Sequence, residues 1–155
     1  MSKILKKLNA LGIALPETVK PVAAYIPGIV VNDLVFTSGQ LPFYQGKLIT
    51  GKLGDTMDTK EGYEAAKICA INCLAVLQST IGNLDRVEQI VKLTGFVNCT
   101  QDFTEQPAVI NGASELLGEV FGSAGQHSRS AVGSASLPLG ACCEVEIIVK
   151  VKSVV

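Results

Sequence analysis

Residues 141–152 alternate with a period of two. Ala141, Cys143, Val145, Ile147, Val149 and Val151 point to one side of an extended chain. Cys142, Glu144, Glu146, Ile148, Lys150 and Lys152 point to the other. An unbroken apolar face of that length has to be covered by another layer, so the segment demands a sheet packed on at least one side. The covering layer is also legible. From Thr59 to about Ile81, Ala65, Ile68, Cys69, Ala75 and Leu77 keep helical spacing, and Ala66, Ala70, Ile71 and Leu74 widen the stripe. Asp58 or Thr59 starts this helix and Gly82 stops it. A second helix opens at Pro107, runs to about Val120 and closes at Gly122.

The remaining strands follow from shorter runs. Gly28 to Ser38 reads as a hairpin turning at Asn32-Asp33, and Tyr44-Gln45-Gly46-Lys47 as a further turn. Val87, Ile90, Val91, Leu93, Phe96 and Val97 mark a strand over 87–98. Residues 129–136 and 142–152 read as a last antiparallel pair joined by Leu137-Pro138-Leu139-Gly140. Residues 3–15 read as a short amphipathic helix ending before Pro16. The order is β-β-α-β-α-β-β, which predicts an α+β fold with two helices on one face of a mixed sheet. It is a single domain over 1–155 with an N-terminal helical extension of about residues 1–20. The other sheet face is then bare. With 48% of residues hydrophobic, that face is expected to be hidden against further copies of the chain.

Composition narrows the chemistry. Thirteen Lys+Arg against 14 Asp+Glu give a net charge of −1, and the pI is about 5.8. There are two arginines, Arg86 and Arg129, and no basic cluster interleaved with aromatics, which argues against a nucleic-acid partner. One histidine (His127) and no Trp leave little for a catalytic triad or a His-rich metal site. No Cys-x-x-Cys occurs. Cys69 and Cys73 share a helix face, while Cys142 and Cys143 adjoin on a strand and are expected to point to opposite faces. The five thiols therefore read as reduced, buried small hydrophobes, and no metal is expected. Lys or Glu interrupts every apolar run before membrane-spanning length, and the N-terminus lacks the apolar core of a signal peptide. No membrane partner and a cytoplasmic location are the expectations.

Charges are rare within the predicted strands. If the last two strands pair symmetrically about Pro138-Leu139, Ala131 faces Glu146 and Arg129 faces Ile148. Arg129 and Glu146 then become diagonal neighbours on one face, either a ligand site or a structural ion pair at a subunit interface. His127 lies in a loop near the same place. Arg86, beside Asp85, reads as a solvated charge, and no histidine is placed to activate Ser38.

Thr37-Ser38-Gly39-Gln40-Leu41-Pro42, and Arg129-Ser130-Ala131-Val132 followed by Leu137-Pro138 and Glu144-Val145-Glu146, resemble the two signature blocks of the YjgF/RidA family of reactive-intermediate deaminases. The resemblance spans roughly 20–152. The N-terminal helix and the run from His127 to Gly133 resemble a longer-chain subgroup of it. It implies a chorismate-mutase-like fold and a homotrimer with a barrel-like core and ligand clefts between subunits. The implied reaction is hydrolysis of 2-imino or enamine acids to 2-oxo acids and ammonia, with neither cofactor nor metal. By the same resemblance Arg129 clamps the substrate carboxylate, as only a planar fork can do bidentately. Gly39 offers a backbone N–H, Tyr25 falls at a cleft tyrosine, Asn111 occupies a polar position of the second helix, and Glu146 helps hold the hydrolytic water. Ala131 stands where well-characterised members often carry cysteine, so its carbonyl can still orient water but thiol chemistry is absent. A non-catalytic, carboxylate-binding regulatory trimer is the alternative. Some relatives are called endoribonucleases, a role the charge balance argues against.

Overall fold

The computed structural model of this chain describes residues 2–18 and 24–153. Helix α1 (Lys3–Ala10) precedes the hairpin of β1 (Gly28–Val31) and β2 (Leu34–Thr37), then the small hairpin of β3 (Phe43–Tyr44) and β4 (Lys47–Leu48). Helix α2 (Thr59–Ile81), strand β5 (Val87–Asn98), helix α3 (Gln106–Phe121), β6 (Ser128–Ser134) and β7 (Cys143–Val151) follow. Five strands form one sheet in the order β1-β2-β7-β5-β6, and β3-β4 stand apart. The α+β class, the mixed sheet and the packing of α2 and α3 against that sheet are as the sequence predicts.

Strand β7 takes the centre because it has most to bury. Its Cys143, Val145, Ile147, Val149 and Val151 are all buried, in strict alternation with Glu144, Glu146, Ile148 and Lys150. It is bonded by antiparallel β2 on one side and antiparallel β5 on the other. The predicted final hairpin does not form. Strand β6 runs parallel to β5 and occupies the sheet edge. The sequence Ser-Arg-Ser-Ala-Val-Gly-Ser has little to bury and many polar side chains, which suits an edge that must resist further pairing. The chain between the strands turns through Pro138–Gly140, with Leu139 at φ 58°, and carries β7 past β5 rather than back along β6.

This change of topology moves the predicted Arg–Glu pair apart. Arg129 is in register with Leu93, which is in register with Ile147. Leu93 and Ile147 are buried under the helices, so Arg129 belongs to the covered face. Glu146 shares its row with Thr94 and Ser130, and Glu144 with Phe96 and Val132, on the opposite face. That second face is bare: Ile29, Val31 and Val132 are exposed, and Leu34, Phe36, Phe96 and Ile148 are half-buried.

The helices end where their chemistry predicts. Asp58 and Glu61 form a reciprocal capping box at the start of α2, and Gly82 closes it with φ 77°. Pro107 opens α3 and Gly122 ends it. The two helices touch at Gly112, where a Cβ would sit 1.9 Å from the Tyr63 carbonyl oxygen. Helix α1 stops before its predicted end, since Gly12 turns away at φ 73°. Asp85 holds its start: the carboxylate accepts from the Lys3 and Ile4 N–H groups at 2.8 and 2.9 Å, and these bonds lower its pKa. The predicted end of the extension, near residue 20, lies outside the described residues. By length and composition α2 could cross a membrane, but here it is the core helix, with Cys69, Ala70, Cys73, Leu74 and Leu77 fully buried.

All five cysteines are free and buried. The expectation that Cys142 and Cys143 diverge is corrected. Cys142 precedes β7 rather than lying in it, so both side chains turn into the core, with their Sγ atoms 3.9 Å apart. Cys69 Sγ lies 3.7 Å from Cys143 Sγ.

Candidate functional site

Two groups of polar side chains stand out from the apolar frame, one on each side of the sheet. The first forms where edge strand β6 runs beside α3. Asn111 and Ser114, three residues apart, lie on one face of α3 and meet Arg129. The Arg129 Nη1 donates to Asn111 Oδ1 at 2.7 Å and to Ser114 Oγ at 3.2 Å. Both hydrogens of Nη1 are thereby committed, while Nε and Nη2 have no acceptor among the described residues. Those two nitrogens form the edge of the fork that takes a carboxylate bidentately.

Among the described residues the Arg129 charge also has no ion-pair partner. Among the described residues the ion pairs are those of Lys150 with Glu88 and Asp33, at 3.2 and 4.0 Å. Asn111 is held in one orientation by chemistry: guanidinium cannot accept a hydrogen bond, so Oδ1 must face it and the amide NH₂ is turned elsewhere. Ala131 is on the covered face of β6, packed against the core in register with Gly95. Ser114 was not singled out by the sequence. A serine within a helix carries no signal until the neighbouring strand is known.

The second group gathers around the end of β2. Gly39 has no side chain, and Glu144 fills that space: a Cβ there would lie 2.0 Å from Glu144 Oε1. The Gly39 N–H has no acceptor among the described residues. Ser38 ties this turn to the preceding chain, donating from Oγ to the Ile26 carbonyl and from N to the Pro27 carbonyl, both at 2.7 Å. Tyr25, beside Ile26, is 58% exposed. Burial raises the Glu144 pKa, and the neighbouring Glu146 charge raises it further. Of the two acids in Glu144-Val145-Glu146, Glu144 is the one against Gly39, and Glu146 lies one row away beside Thr94.

A single chain does not bring the two groups together. Strands β2 and β6 are separated by β7 and β5, three strand spacings or about 14 Å, and Arg129 and Glu144 project from opposite faces. A site containing both needs two copies of the chain. Elsewhere, a cleft of about 550 Å³ lies at the far end of β6, lined by Lys52, Cys99, Gln106 and Gly133 among others. Lys52 Nζ donates there to Asn98 Oδ1 at 2.7 Å and to the Ala135 carbonyl at 2.8 Å, which ties its loop to the end of β5 and to the chain just after β6.

Comparison with known proteins agrees with this architecture. The YjgF/chorismate mutase-like endoribonuclease family matches residues 5–151. Protein TCP17 of Trypanosoma cruzi is 41% identical over 153 residues, which cover 97% of this chain and 96% of that protein. The crystal structure of Atu1372 from Agrobacterium tumefaciens, a protein of unknown function, is 40% identical and superposes with a TM-score of 0.89. It spans 96% of this chain and 94% of that one. The E. coli YjgF gene product is 25% identical with a TM-score of 0.61, over 86% and 91% of the two chains.

Proposed function

The chain belongs to the YjgF/chorismate mutase-like family, and on that premise we propose that it hydrolyses reactive 2-imino and enamine acids to 2-oxo acids and ammonia. Arg129 holds the substrate carboxylate in a cleft between subunits of a homotrimer. The observation that carries this reading is the state of Arg129: Nη1 is tied to Asn111 and Ser114, its charge has no ion-pair partner among the described residues, and the Nε/Nη2 edge is free. A carboxylate on that edge makes two parallel charge-assisted bonds and fixes the plane of the substrate. The Asn111 amide hydrogens and the Ala131 carbonyl then lie beside the C=N group.

The second subunit supplies the end of its β2. There the Gly39 N–H and the Glu144 carboxylate flank a water molecule. The water oxygen adds to the imine carbon while Glu144 takes one of its protons and hands it to the imine nitrogen, giving a neutral carbinolamine. Glu144 then takes the hydroxyl proton and hands it to the departing nitrogen as the C–N bond breaks, so that ammonia leaves and the 2-oxo acid remains. A raised Glu144 pKa suits a group that takes up and gives back a proton. Imines hydrolyse readily, so holding one water against a fixed carbon is most of what is required, and orientation contributes up to ~7–11 kcal/mol. Glu146 adds the second negative charge that keeps the Glu144 pKa high. No metal or cofactor is invoked.

Ammonia release from a freshly generated 2-imino acid tests the reading. Wild type should accelerate it over buffer and Arg129→Ala should not; equal rates for wild type and buffer overturn it. Light scattering should give three chains per particle. Saturable binding of a 2-oxo acid without turnover would instead make the chain a carboxylate-binding regulator. That outcome is favoured by Ala131, which offers no thiol. The endoribonuclease in the family's description gains no support from a chain of net charge −1, which has no field to gather phosphates.

A further inference from the structure

We propose that Ser114 and His127 are positioning residues that set which edge of the Arg129 guanidinium meets the ligand; this rests on Arg129 being the carboxylate clamp. The contacts form a directed relay. His127 Nδ1 lies 2.7 Å from the Gly125 carbonyl oxygen. A carbonyl only accepts, so Nδ1 carries the hydrogen, and in the neutral ring Nε2 is an acceptor. Nε2 lies 2.9 Å from Ser114 Oγ, so the serine hydroxyl donates to it. The serine oxygen then has its lone pairs turned to Arg129, whose Nη1 donates at 3.2 Å. Every donor and acceptor in the sequence Arg129, Ser114, His127, Gly125 is matched in one direction.

Three features show that the relay is held from outside. Helical serines commonly bond back to the carbonyl of the preceding turn, whereas the Ser114 hydroxyl is committed to His127 and Arg129. Gly125 fits because it has no Cβ: one there would be 2.2 Å from the Leu117 carbonyl oxygen, so only glycine lets this loop lie on α3 and present its carbonyl to His127. Gln89 fastens the same loop, its Nε2 donating to the Ala124 carbonyl at 3.2 Å and to the Gln126 carbonyl. The pair also has the spacing of a serine nucleophile and its base. Ser114 is mid-helix, however, where backbone N–H groups are spent within the helix and none is free to receive an oxyanion. Positioning is the role left. With Nη1 pinned by Ser114 and Asn111 together, the guanidinium cannot roll, and the Nε/Nη2 edge is kept for the ligand.

The test is binding of 2-oxobutanoate by calorimetry with kcat and KM for imine hydrolysis. Ser114→Ala removes the relay. His127→Asn keeps a donor to the Gly125 carbonyl but removes the acceptor at Nε2, so the loop stays anchored while the relay is cut. Both should raise Kd and KM about tenfold with kcat little changed, because the lost contact serves bound substrate and transition state alike. Ser114→Thr should restore wild-type binding. The chain has one histidine, so its ring ¹⁵N signals are unambiguous: wild type should show the Nδ1–H tautomer. The opposite tautomer overturns the relay. Arg129→Ala that binds like wild type overturns the clamp itself. Loss of binding in Arg129→Ala, with Ser114→Ala and His127→Asn unaffected, overturns the relay alone. If His127→Asn does not fold, the Ser114 alanine and threonine variants decide the matter.

Discussion

Gly39→Ala perturbs the proposed cleft while sparing the fold. The added Cβ would stand 2.0 Å from Glu144 Oε1, 2.9 Å from Cδ and 3.1 Å from Cγ, where ordinary contact begins at 3.4 Å. The carboxylate must therefore withdraw by about 1.4 Å. Gly39 does not occupy the left-handed region, so alanine meets no backbone strain. What it strikes is the end of a flexible, half-buried side chain, which can rotate away. The stability cost should stay below about 1 kcal/mol, or roughly 2–4 °C in Tm for a domain of this size. Activity should fare differently. Misplacing a reacting group by ~1 Å costs on the order of 100-fold, so kcat/KM for imine hydrolysis should fall by about that factor. Ammonia release gives the rate and calorimetry the Tm. A double-mutant cycle sharpens the test: once Glu144→Ala has removed the carboxylate, adding Gly39→Ala should cost little more. Wild-type kcat/KM in Gly39→Ala, or full additivity of the two losses, would refute the assignment of Glu144 to the water.

Further outcomes follow from the same structure. Gly112→Ala drives a Cβ to 1.9 Å from the Tyr63 carbonyl oxygen. Because backbone cannot rotate away, α2 and α3 must part, at a cost of about 3 kcal/mol measurable by urea denaturation; an unchanged midpoint would contradict the close approach. Arg129→Lys keeps the charge but loses the fork, so 2-oxobutanoate should bind at least about tenfold more weakly, and equal affinity would argue against a bidentate clamp. Burial pushes the Cys73 thiol from 9.0 up to about 12. Its contribution is complete below pH 9, and is lost between pH 9 and about 12 as the unfolded thiol ionises and the folded one does not. Stability should fall by about 1.4 kcal/mol per pH unit for this thiol, with Cys69 and Cys143, also raised, steepening the decline. Denaturation curves at pH 8 to 10.5 should show a shallower slope in Cys73→Ala than in wild type; identical slopes would rule out the thiol as the cause.

The local elements of this chain were open to reading because each is recorded in short-range chemistry. The period of two over 141–152 reappears as the alternating burial of β7, and of the two candidate starts Asp58 caps α2 while Gly82 closes it. The hairpin turn at Asn32-Asp33 joins β1 to β2, with Asn32 at φ 55°. Order along the chain also sufficed for the α+β class and for a sheet with one bare face. Arg129 and Asn111 were visible as residue types, and they do meet.

Pairing was another matter. Backbone N–H and C=O groups are the same in every strand, so the sequence by itself recorded how much each strand must bury but not which neighbour it takes. Only the tertiary structure decided that β7 goes to the centre and polar β6 to the edge, parallel to β5. A change of neighbour alters which rows align, and in a pleated sheet the row and its face set what a side chain can touch. That is why Arg129 and Glu146, adjacent in the predicted hairpin, stand on opposite faces, why Glu144 is the acid against Gly39, and why Arg129 turns toward Asn111 and Ser114 of α3. Gly39 and Glu144 lie far apart in sequence, and strand order, a competition of the whole chain for burial, is what brings them together; Asn111, Ser114, His127 and Arg129 are near in sequence and meet because β6 runs beside α3.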